Sequence, residues 1–378
     1  MKKLLRITTV SLSLDLLLKG QLGFLNQYYD VVGIASGIEK LRIVSKREGI
    51  RVINIHIERE VKILKDIRSL FDMIRVINQE KPNIVHANTP KGSLLAMVAA
   101  MICRVPHRIY TVTGLRFDTT TGLYKKLLVL MEQITCACAT KVIPEGEGVK
   151  KTLLRENITK KSLQKILNGN INGIDLSYFD RSPDVITKVK EIRNEDYFTF
   201  VFVGRLVREK GINELVKAFN RLSNEMVDIN PMRLFLVGWY ENELDPLLPE
   251  TILTIKNNSE IHFLGFHEDV RPFLAAADAL VFPSYREGFP GVVLQAGAMG
   301  LPGIVTDING CNEIIIEGIN GIIIPPKDEQ ALYNGMCSFV ENKDKVKEMA
   351  GNSRKLIASR FDQNMLWQAL LEEYQKLE

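Results

Sequence analysis

Short apolar runs alternate with longer stretches of helical period along this chain, and that alternation limits the possible folds more than any single motif does. A short apolar strand, a helix and another such strand make a βαβ unit, and successive units build a parallel sheet with helices on both faces. In the first half the pattern predicts strands over residues 4–8, 30–35, 52–55, 84–86, 108–112 and 141–144. Helices are predicted over 64–79 and 92–104, with Pro82 and Pro106 falling where each must already have stopped. The alternation breaks once, at Asn168-Gly169-Asn170-Ile171-Asn172-Gly173-Ile174-Asp175, a stretch too rich in Gly and Asn for helix or central strand. It then restarts, with strands over 199–203, 233–237, 261–264, 279–282 and 303–306 and helices over 213–226 and 291–299. The chain ends in helical patterns over 327–340, 344–359 and 362–377. The reading is an α/β protein of two doubly wound, Rossmann-like domains facing one another across a cleft. Residues 1–172 form the first, 173–360 the second, and 361–378 a terminal helix packing back toward the first. Its 378 residues agree, since one ordinary core rarely organises so long a chain.

Bulk properties remove several classes. The five cysteines lie inside apolar runs and include no Cys-x-x-Cys pair, so a disulfide framework or zinc site is not expected and a reducing compartment fits. The opening MKKLLRITTVSLSLDLLLKG is leader-like, but Arg6 and Asp15 interrupt it and no small-residue cleavage site follows. It is read as a first strand. The most apolar later stretch, 93–103, is about half the length that spans a bilayer. The protein is therefore expected in the cytoplasm, with room for peripheral contact at the inner face of the membrane. Charge is lopsided: residues 1–180 hold 28 Lys and Arg against 16 Asp and Glu, whereas the rest of the chain is net acidic. A basic first half suits an anionic partner such as phospholipid or a lipid-linked diphosphate, and equally suits ordinary solubilising lysine. Nucleic acid is disfavoured, because no nucleic-acid module is recognisable and few aromatics accompany the basic positions.

Open parallel sheets bind ligands at the carboxyl ends of their strands, so the segments just after strands carry the chemistry. The strand at 199–203 runs into Gly204-Arg205-Leu206-Val207-Arg208-Glu209-Lys210-Gly211. Glycine at the strand end lets backbone approach a ligand, and Arg205 and Lys210 can converge on one anion, a planar fork beside a mobile point charge. After the strand at 279–282 come Glu287 and then Gly288-Phe289-Pro290-Gly291-Val292 at a helix start. Amides at such a terminus favour a pyrophosphate. Gln295 lies one turn further on. A carboxylate, an amide row and a polar group in that order match sugar hydroxyls, diphosphate and ribose. A surface turn with a Pro-initiated helix is the plainer alternative.

The segments GRLVREKG and EGFPGVVLQAGAMGLP resemble the retaining glycosyltransferases of family four, which have the paired-Rossmann architecture called GT-B. The runs KGQLGFL, VHANTPKGSLLAMVAAMICRVPHRIYTVTGLRF and LNGNINGIDLSYF resemble the branch that builds bacterial capsule and lipopolysaccharide-type polymers. The resemblance implies a sugar donor held by the second domain and an acceptor held by the first. Arg205 and Lys210 then match the pair that stabilises the leaving diphosphate, and Glu287 matches the acid that contacts donor-sugar hydroxyls. Gly204 and the amides of Phe289, Pro290, Gly291 and Val292 match the phosphate surroundings. Phe266 marks the region that holds the nucleotide base, and Gly20 matches the N-terminal glycine loop near the diphosphate. Retention follows if the departing phosphate oxygen takes the proton of the incoming hydroxyl on the same face. The resemblance further implies a uridine-diphosphate donor, a hexosyl or N-acetylhexosaminyl transfer, and a polyprenyl-diphosphate-linked saccharide as acceptor partner.

Two positions depart from the pattern. The second acid of the family's E-x7-E motif is Gln295 here, and the frequent histidine of Thr-Val-His-Gly is Thr113. An amide oxygen still accepts from ribose, at a loss of roughly 1 kcal/mol. With that histidine gone, His86, Thr113 and Arg116 are the acceptor-side candidates. No Asp-x-Asp motif occurs in the cleft-facing segments, so no metal ligand is assigned, no cofactor is expected, and metal independence follows. Two rivals stay open: a sugar-nucleotide epimerase of the same layout, and a sugar-nucleotide-binding subunit without turnover. A nicotinamide oxidoreductase does not fit, since no Gly-x-Gly-x-x-Gly follows the first strand.

Overall fold

The computed structural model describes residues 1–377 apart from 59, 60, 116, 118, 119, 227–229, 242 and 244. The chain divides into unit 1, Met1–Gly173 with Gln363–Glu378, and unit 2, Ile174–Asp362.

Unit 1 is built on a six-stranded, wholly parallel sheet. Its strands are β1 (Lys3–Val10), β2 (Asp30–Ser36), β3 (Arg51–Asn54), β4 (Ile84–Asn88), β5 (His107–Val112) and β6 (Lys141–Pro144), in the order β3-β2-β1-β4-β5-β6. Strand alternation assigns each residue to a face. Leu5 and Ile7 enter the core formed with the helices Ile63–Glu80, Pro90–Ile102 and Gly122–Cys138, through residues such as Met73, Met97 and Cys136. Leu4 enters the opposite core with Leu14, Leu41 and Leu370, beneath Ser11–Leu17, Ile38–Glu48 and the C-terminal helix Gln363–Gln375.

The second of these faces explains Arg6. It lies two residues after Leu4 on the same side of β1, and it is wholly buried. One guanidinium nitrogen donates to the Tyr374 hydroxyl (3.0 Å) and contacts His86 Nδ1, while the other donates to Gln21 Oε1 (3.0 Å). His86 Nε2 meets the Thr111 hydroxyl at 2.7 Å. A central strand thus carries a cation whose hydrogen bonds reach the last helix of the chain. Burial and the neighbouring Arg6 hold the His86 ring well below the ordinary imidazole range, so it is neutral.

Unit 2 repeats the plan with β7 (Phe198–Val203), β8 (Met232–Val237), β9 (Ile261–Gly265), β10 (Ala279–Phe282), β11 (Gly303–Thr306) and β12 (Gly321–Ile324), in the order β12-β11-β10-β7-β8-β9. Every pairing is parallel. Its core is aromatic at the centre, with Phe202 stacked on Phe282 (6.0 Å between centroids, 11° between planes). The chain steps outward from β7 to β9, returns to β10 beside β7, and steps outward again to β12. The order therefore reverses between β7 and β10, where an open α/β sheet leaves a crevice at its carboxyl edge. Ile174 and Asp362, the two ends of unit 2, pair with each other as an isolated parallel bridge.

Most elements fall within a residue or two of their sequence-based bounds. β12 and the short helix Ser11–Leu17 were not anticipated.

One buried acid makes stability depend on pH. Glu132, on the helix Gly122–Cys138, accepts from the Tyr110 hydroxyl at 2.6 Å, and burial pushes its carboxyl up to about 7 from 4.5. Between those values the folded state binds the extra proton, so stability falls as pH rises through that window. Glu132→Gln, which keeps an oxygen for Tyr110, is expected to raise stability at about pH 8 by roughly 3 kcal/mol, and by much less near pH 5. Urea denaturation at the two pH values measures the difference; equal midpoint shifts at both would contradict it.

Candidate functional site

The carboxyl edge of unit 2 is assembled by backbone approaching backbone. Gly238, just after β8, has φ +151°, and a Cβ there would sit 1.7 Å from the Gly204 carbonyl oxygen that follows β7. Gly211, at the end of the Arg205 loop, has φ +71°, and a Cβ would sit 2.1 Å from the Pro283 oxygen that follows β10. These contacts let the loops after β7, β8 and β10 share one place, and hydrogen bonds fix them there. Leu206 N donates to Trp239 O (2.8 Å), Gly238 N to Gly265 O (2.8 Å) and Tyr285 N to Glu209 O (2.9 Å).

Lys210 and Glu287 meet across this junction as an ion pair, with side chains only 15% and 17% exposed. Ser284 Oγ donates to the same Glu287 oxygen at 2.9 Å, and the Lys210 ammonium stands 5.6 Å from the centre of the Phe282 ring. The pair bridges β7 and β10 at the point where the strand order reverses. Glu287 is thereby fixed in orientation beside the start of the helix Gly291–Ala298. A Cβ built at Gly291 meets nothing within 4 Å, so the approach to the first amides is open. Those amides have no acceptor within the helix.

Arg205 belongs to the same loop but has different partners. It donates to Glu209 at 2.9 Å and pairs with Glu241, which follows β8. Burial alone would lower its pKa, but the two carboxylates outweigh it and raise the value. Arg286 reaches the second oxygen of Glu209 at 3.4 Å. Cations and carboxylates thus alternate along the edge. On its far side Trp239 and Phe266, both substantially exposed, pack edge to face with centroids 5.5 Å apart.

Among the sequence-derived candidates, Gly204, Arg205, Lys210, Glu287, Gly291, Val292, Gln295 and Phe266 come together in unit 2. Gln295 is half-buried, and its amide has no hydrogen-bond partner among the described residues. Phe289 is buried against Phe361 (5.5 Å), and Pro290 caps the helix start, so both shape the turn through packing.

Unit 1 corrects two expectations. His86 is 1% exposed with both ring nitrogens engaged by Arg6, Tyr374 and Thr111, so it belongs to the interior and offers no acceptor contact. Gly20 was expected to match an N-terminal glycine loop near a diphosphate. Its N–H is taken by Glu48 Oε1 (2.9 Å), and a Cβ would strike the Trp367 ring at 2.6 Å, so this glycine serves packing against the C-terminal helix. Thr113 follows β5 directly and is half-buried; Arg116 lies outside the described residues. Glu209, Glu241, Arg286, Ser284 and Trp239 were missed. The Arg205/Glu209 spacing of four was a usable signal, whereas the Glu241 partnership needs the strand order.

Among the described residues, no three His, Cys, Asp or Glu side chains group as a metal-ligand set.

Two doubly wound parallel sheets of this kind define the GT-B class of glycosyltransferase fold, and the comparisons agree. The family model "Glycosyl transferases group 1" matches residues 186–356, and "Glycosyl transferase 4-like" matches 14–145. The chain belongs to glycosyltransferase family four, of GT-B fold, and is a glycosyltransferase by descent. It is 30% identical to the capsular polysaccharide biosynthesis glycosyltransferase CapM of Staphylococcus aureus over 374 residues, covering 99% of this chain and 97% of that protein. An Escherichia coli UDP-Gal:α-D-GlcNAc-diphosphoundecaprenol α-1,3-galactosyltransferase is 26% identical, over 80% of this chain and 78% of that one. Among solved structures, Anabaena HepE in complex with UDP and glucose superposes with a TM-score of 0.83 at 19% identity, covering all of both chains.

The loop junction can be tested at its closest contact. Gly238→Ala is expected to cost at least about 2 kcal/mol, since a β-carbon there meets the Gly204 carbonyl. Gly265→Ala, at φ +76° with nothing within 4 Å, is expected to cost only about 1–2 kcal/mol. Parallel urea titrations compare the two, and a Gly238→Ala cost no larger than that of Gly265→Ala would refute the packing account.

Proposed function

We propose that this chain transfers a sugar, with retention of anomeric configuration, from a uridine-diphosphate sugar to a lipid-linked saccharide in surface polysaccharide biosynthesis. The observation that carries the reading is the meeting of Lys210 and Glu287 at the strand-order reversal of unit 2, beside an open helix start. The order of groups along that edge supports a nucleotide sugar in particular. Glu287 follows β10, the cations Arg205 and Lys210 follow β7, and the exposed aromatics Trp239 and Phe266 follow β8 and β9. Sugar hydroxyls, diphosphate and base occur in the same sequence along the ligand. The donor base and the lipid-linked acceptor rest on relatives: HepE was solved with UDP, and the E. coli relative is named for a diphosphoundecaprenol acceptor. The surface-polymer assignment rests on the capsular relative.

In this reading the protein's part in the chemistry is electrostatic. As the bond from the anomeric carbon to phosphate breaks, negative charge grows on the diphosphate. Lys210, Arg205 and the amides of Gly291 and Val292 stabilise it before it must leave. The departing phosphate oxygen accepts the proton of the acceptor hydroxyl, which enters on the same face of the sugar. Glu287 orients sugar hydroxyls and is held in place by Lys210 and Ser284. Two cations carry the charge, so we further propose that turnover needs no divalent ion.

Among the described residues no helix is long and apolar enough to cross a membrane. We place the enzyme in the cytoplasm, working on an acceptor presented at the membrane surface.

A preformed donor stabilising group is worth about 2.7–4 kcal/mol, so Lys210→Ala is expected to lower turnover at least a hundredfold. Transfer of radiolabelled sugar from a panel of nucleotide sugars to a membrane lipid extract reads this directly. Turnover in that variant close to wild type would remove the assignment. In the same assay, excess chelator is expected to leave the rate unchanged, and a loss restored by added Mg²⁺ or Mn²⁺ would show that a metal takes part.

A further inference from the structure

The donor loops follow the carboxyl ends of the unit 2 strands, and at the opposite edge of the same sheet lies a cavity of about 650 Å³. It is lined by the starts of three adjacent strands: Phe198 begins β7, Asp278 precedes β10, and Leu301 comes two residues before β11. β7 is six residues long, so about 20 Å of strand separates this edge from the loop that carries Arg205 and Lys210. One wall is the helix Lys343–Phe361, which turns Lys343, Val346, Lys347 and Ala350 to the cavity, the spacing of a single helix face. The helix Pro183–Ile192 and its flanks supply Arg181, Val189 and Arg193. A Cβ built at Gly300 meets nothing nearer than the Ala350 carbonyl oxygen at 4.0 Å, so the lining there is loose.

Four cations and two carboxylates line this cavity, in the half of the chain that is otherwise net acidic. Both carboxylates are already engaged. Asp278 accepts from the Thr199 amide (2.8 Å) and from Arg193 (3.1 Å), and Glu195 accepts from Arg193 (2.7 Å). Lys347 stands 3.6 Å from Asp344 at the exposed rim. Arg181 differs. Its Nε donates to the Met299 carbonyl oxygen (3.3 Å), which closes one helix end, but among the described residues the other two nitrogens of its fork meet no carboxylate. Desolvation and then the like charge of Arg193 lower its pKa, with Asp278 pulling the other way. Lys343 also pairs with no carboxylate among the described residues. Beside these two cations Val189, Leu301 and Val346 are buried, and Tyr197 is half-buried.

We infer that this cavity binds a small phosphate ester, its phosphoryl group reached by Arg181 and Lys343 and its uncharged part lying over Val189, Leu301 and Tyr197. A phosphate monoester carries about −1.5 to −2 charges at neutral pH and presents three acceptor oxygens. That suits a planar fork and a mobile point charge that both lack counter-charge, where a single carboxylate would satisfy only one of them. The volume suits one molecule of metabolite size, and the apolar wall distinguishes an ester from the free ion. The residues are distinct from those of the donor loops and need no nucleotide sugar. Failure of this inference would leave the transfer reading standing, and failure of transfer would leave this test intact.

The test is isothermal titration of the full chain with phenyl phosphate and, separately, with inorganic phosphate. Phenyl phosphate is expected to bind, and at least about tenfold more tightly than inorganic phosphate, because its ring leaves water for the apolar wall. Arg181→Ala is expected to weaken it at least about tenfold, the scale of a hydrogen bond to a charged group. Lys343→Ser, which removes an exposed side chain and no contact within the fold, is expected to weaken it about threefold. That second variant keeps the test decisive if loss of the Met299 contact unfolds the first. Lys210→Ala is expected to bind phenyl phosphate as the wild type does. Absence of binding, equal affinity for the two probes, or an affinity unmoved by Lys343→Ser overturns the inference. So does loss of binding in Lys210→Ala, because the probe would then lie in the donor loops.

Discussion

The functional edge of unit 2 exists because two glycines let main chain touch main chain. At Gly238 and Gly211 there is no room for even one further carbon, and both have left-handed backbone that suits glycine. Their absent side chains draw the loops after β7, β8 and β10 together. The Lys210–Glu287 pair follows from that, since neither residue is near the other in sequence. Parallel topology supplies the remainder: from the adjacent, parallel β7 and β10 the chain continues to opposite halves of the sheet, and the loops that follow the two strands leave one crevice.

Polar groups in this edge neutralise one another before any ligand is considered. Arg205 sits between Glu209 and Glu241, Arg286 shares Glu209, and Lys210 holds Glu287. Partly buried cations of this kind are costly without partners, and the carboxylates offset that cost while fixing each side chain's direction. The arrangement is thus ordered by its own contacts.

What could be read from the sequence was largely what is local. Strands such as Phe198–Val203 and Ala279–Phe282 are runs of β-branched and aromatic residues bounded by Gly or Pro, and they fold as read. β12 was overlooked because Gly321-Ile-Ile-Ile follows an Asn-Gly turn signal and is a short edge strand with no period of its own. The helix Ser11–Leu17 hid inside a run that is leader-like. At the site, the Arg205, Lys210 and Glu287 loops were legible because glycine and charge cluster within each one. Glu241 was not, because its tie to Arg205 spans two strands. His86 shows the opposite error: a polar residue within a strand that reaches the carboxyl edge suggested a ligand contact, but alternation turns the ring toward Arg6 and Tyr374. No local pattern announces a pairing across 288 residues.

The Arg6 cluster also sets an order of assembly. The sheet of unit 1 is complete in the first 144 residues of the chain, but one of its faces is closed by Leu370, Leu371 and Tyr374. During synthesis those side chains emerge only after the whole of unit 2. Until then Arg6 lacks the phenolic oxygen that accepts from it, and the part of that face beneath Leu370, Leu371 and Tyr374 has no cover. Contacts of such sequence separation carry a large loop-closure cost and form late. Unit 1 is therefore the first to leave the ribosome and the last to be finished, and its open face is what a nascent chain must keep from aggregating.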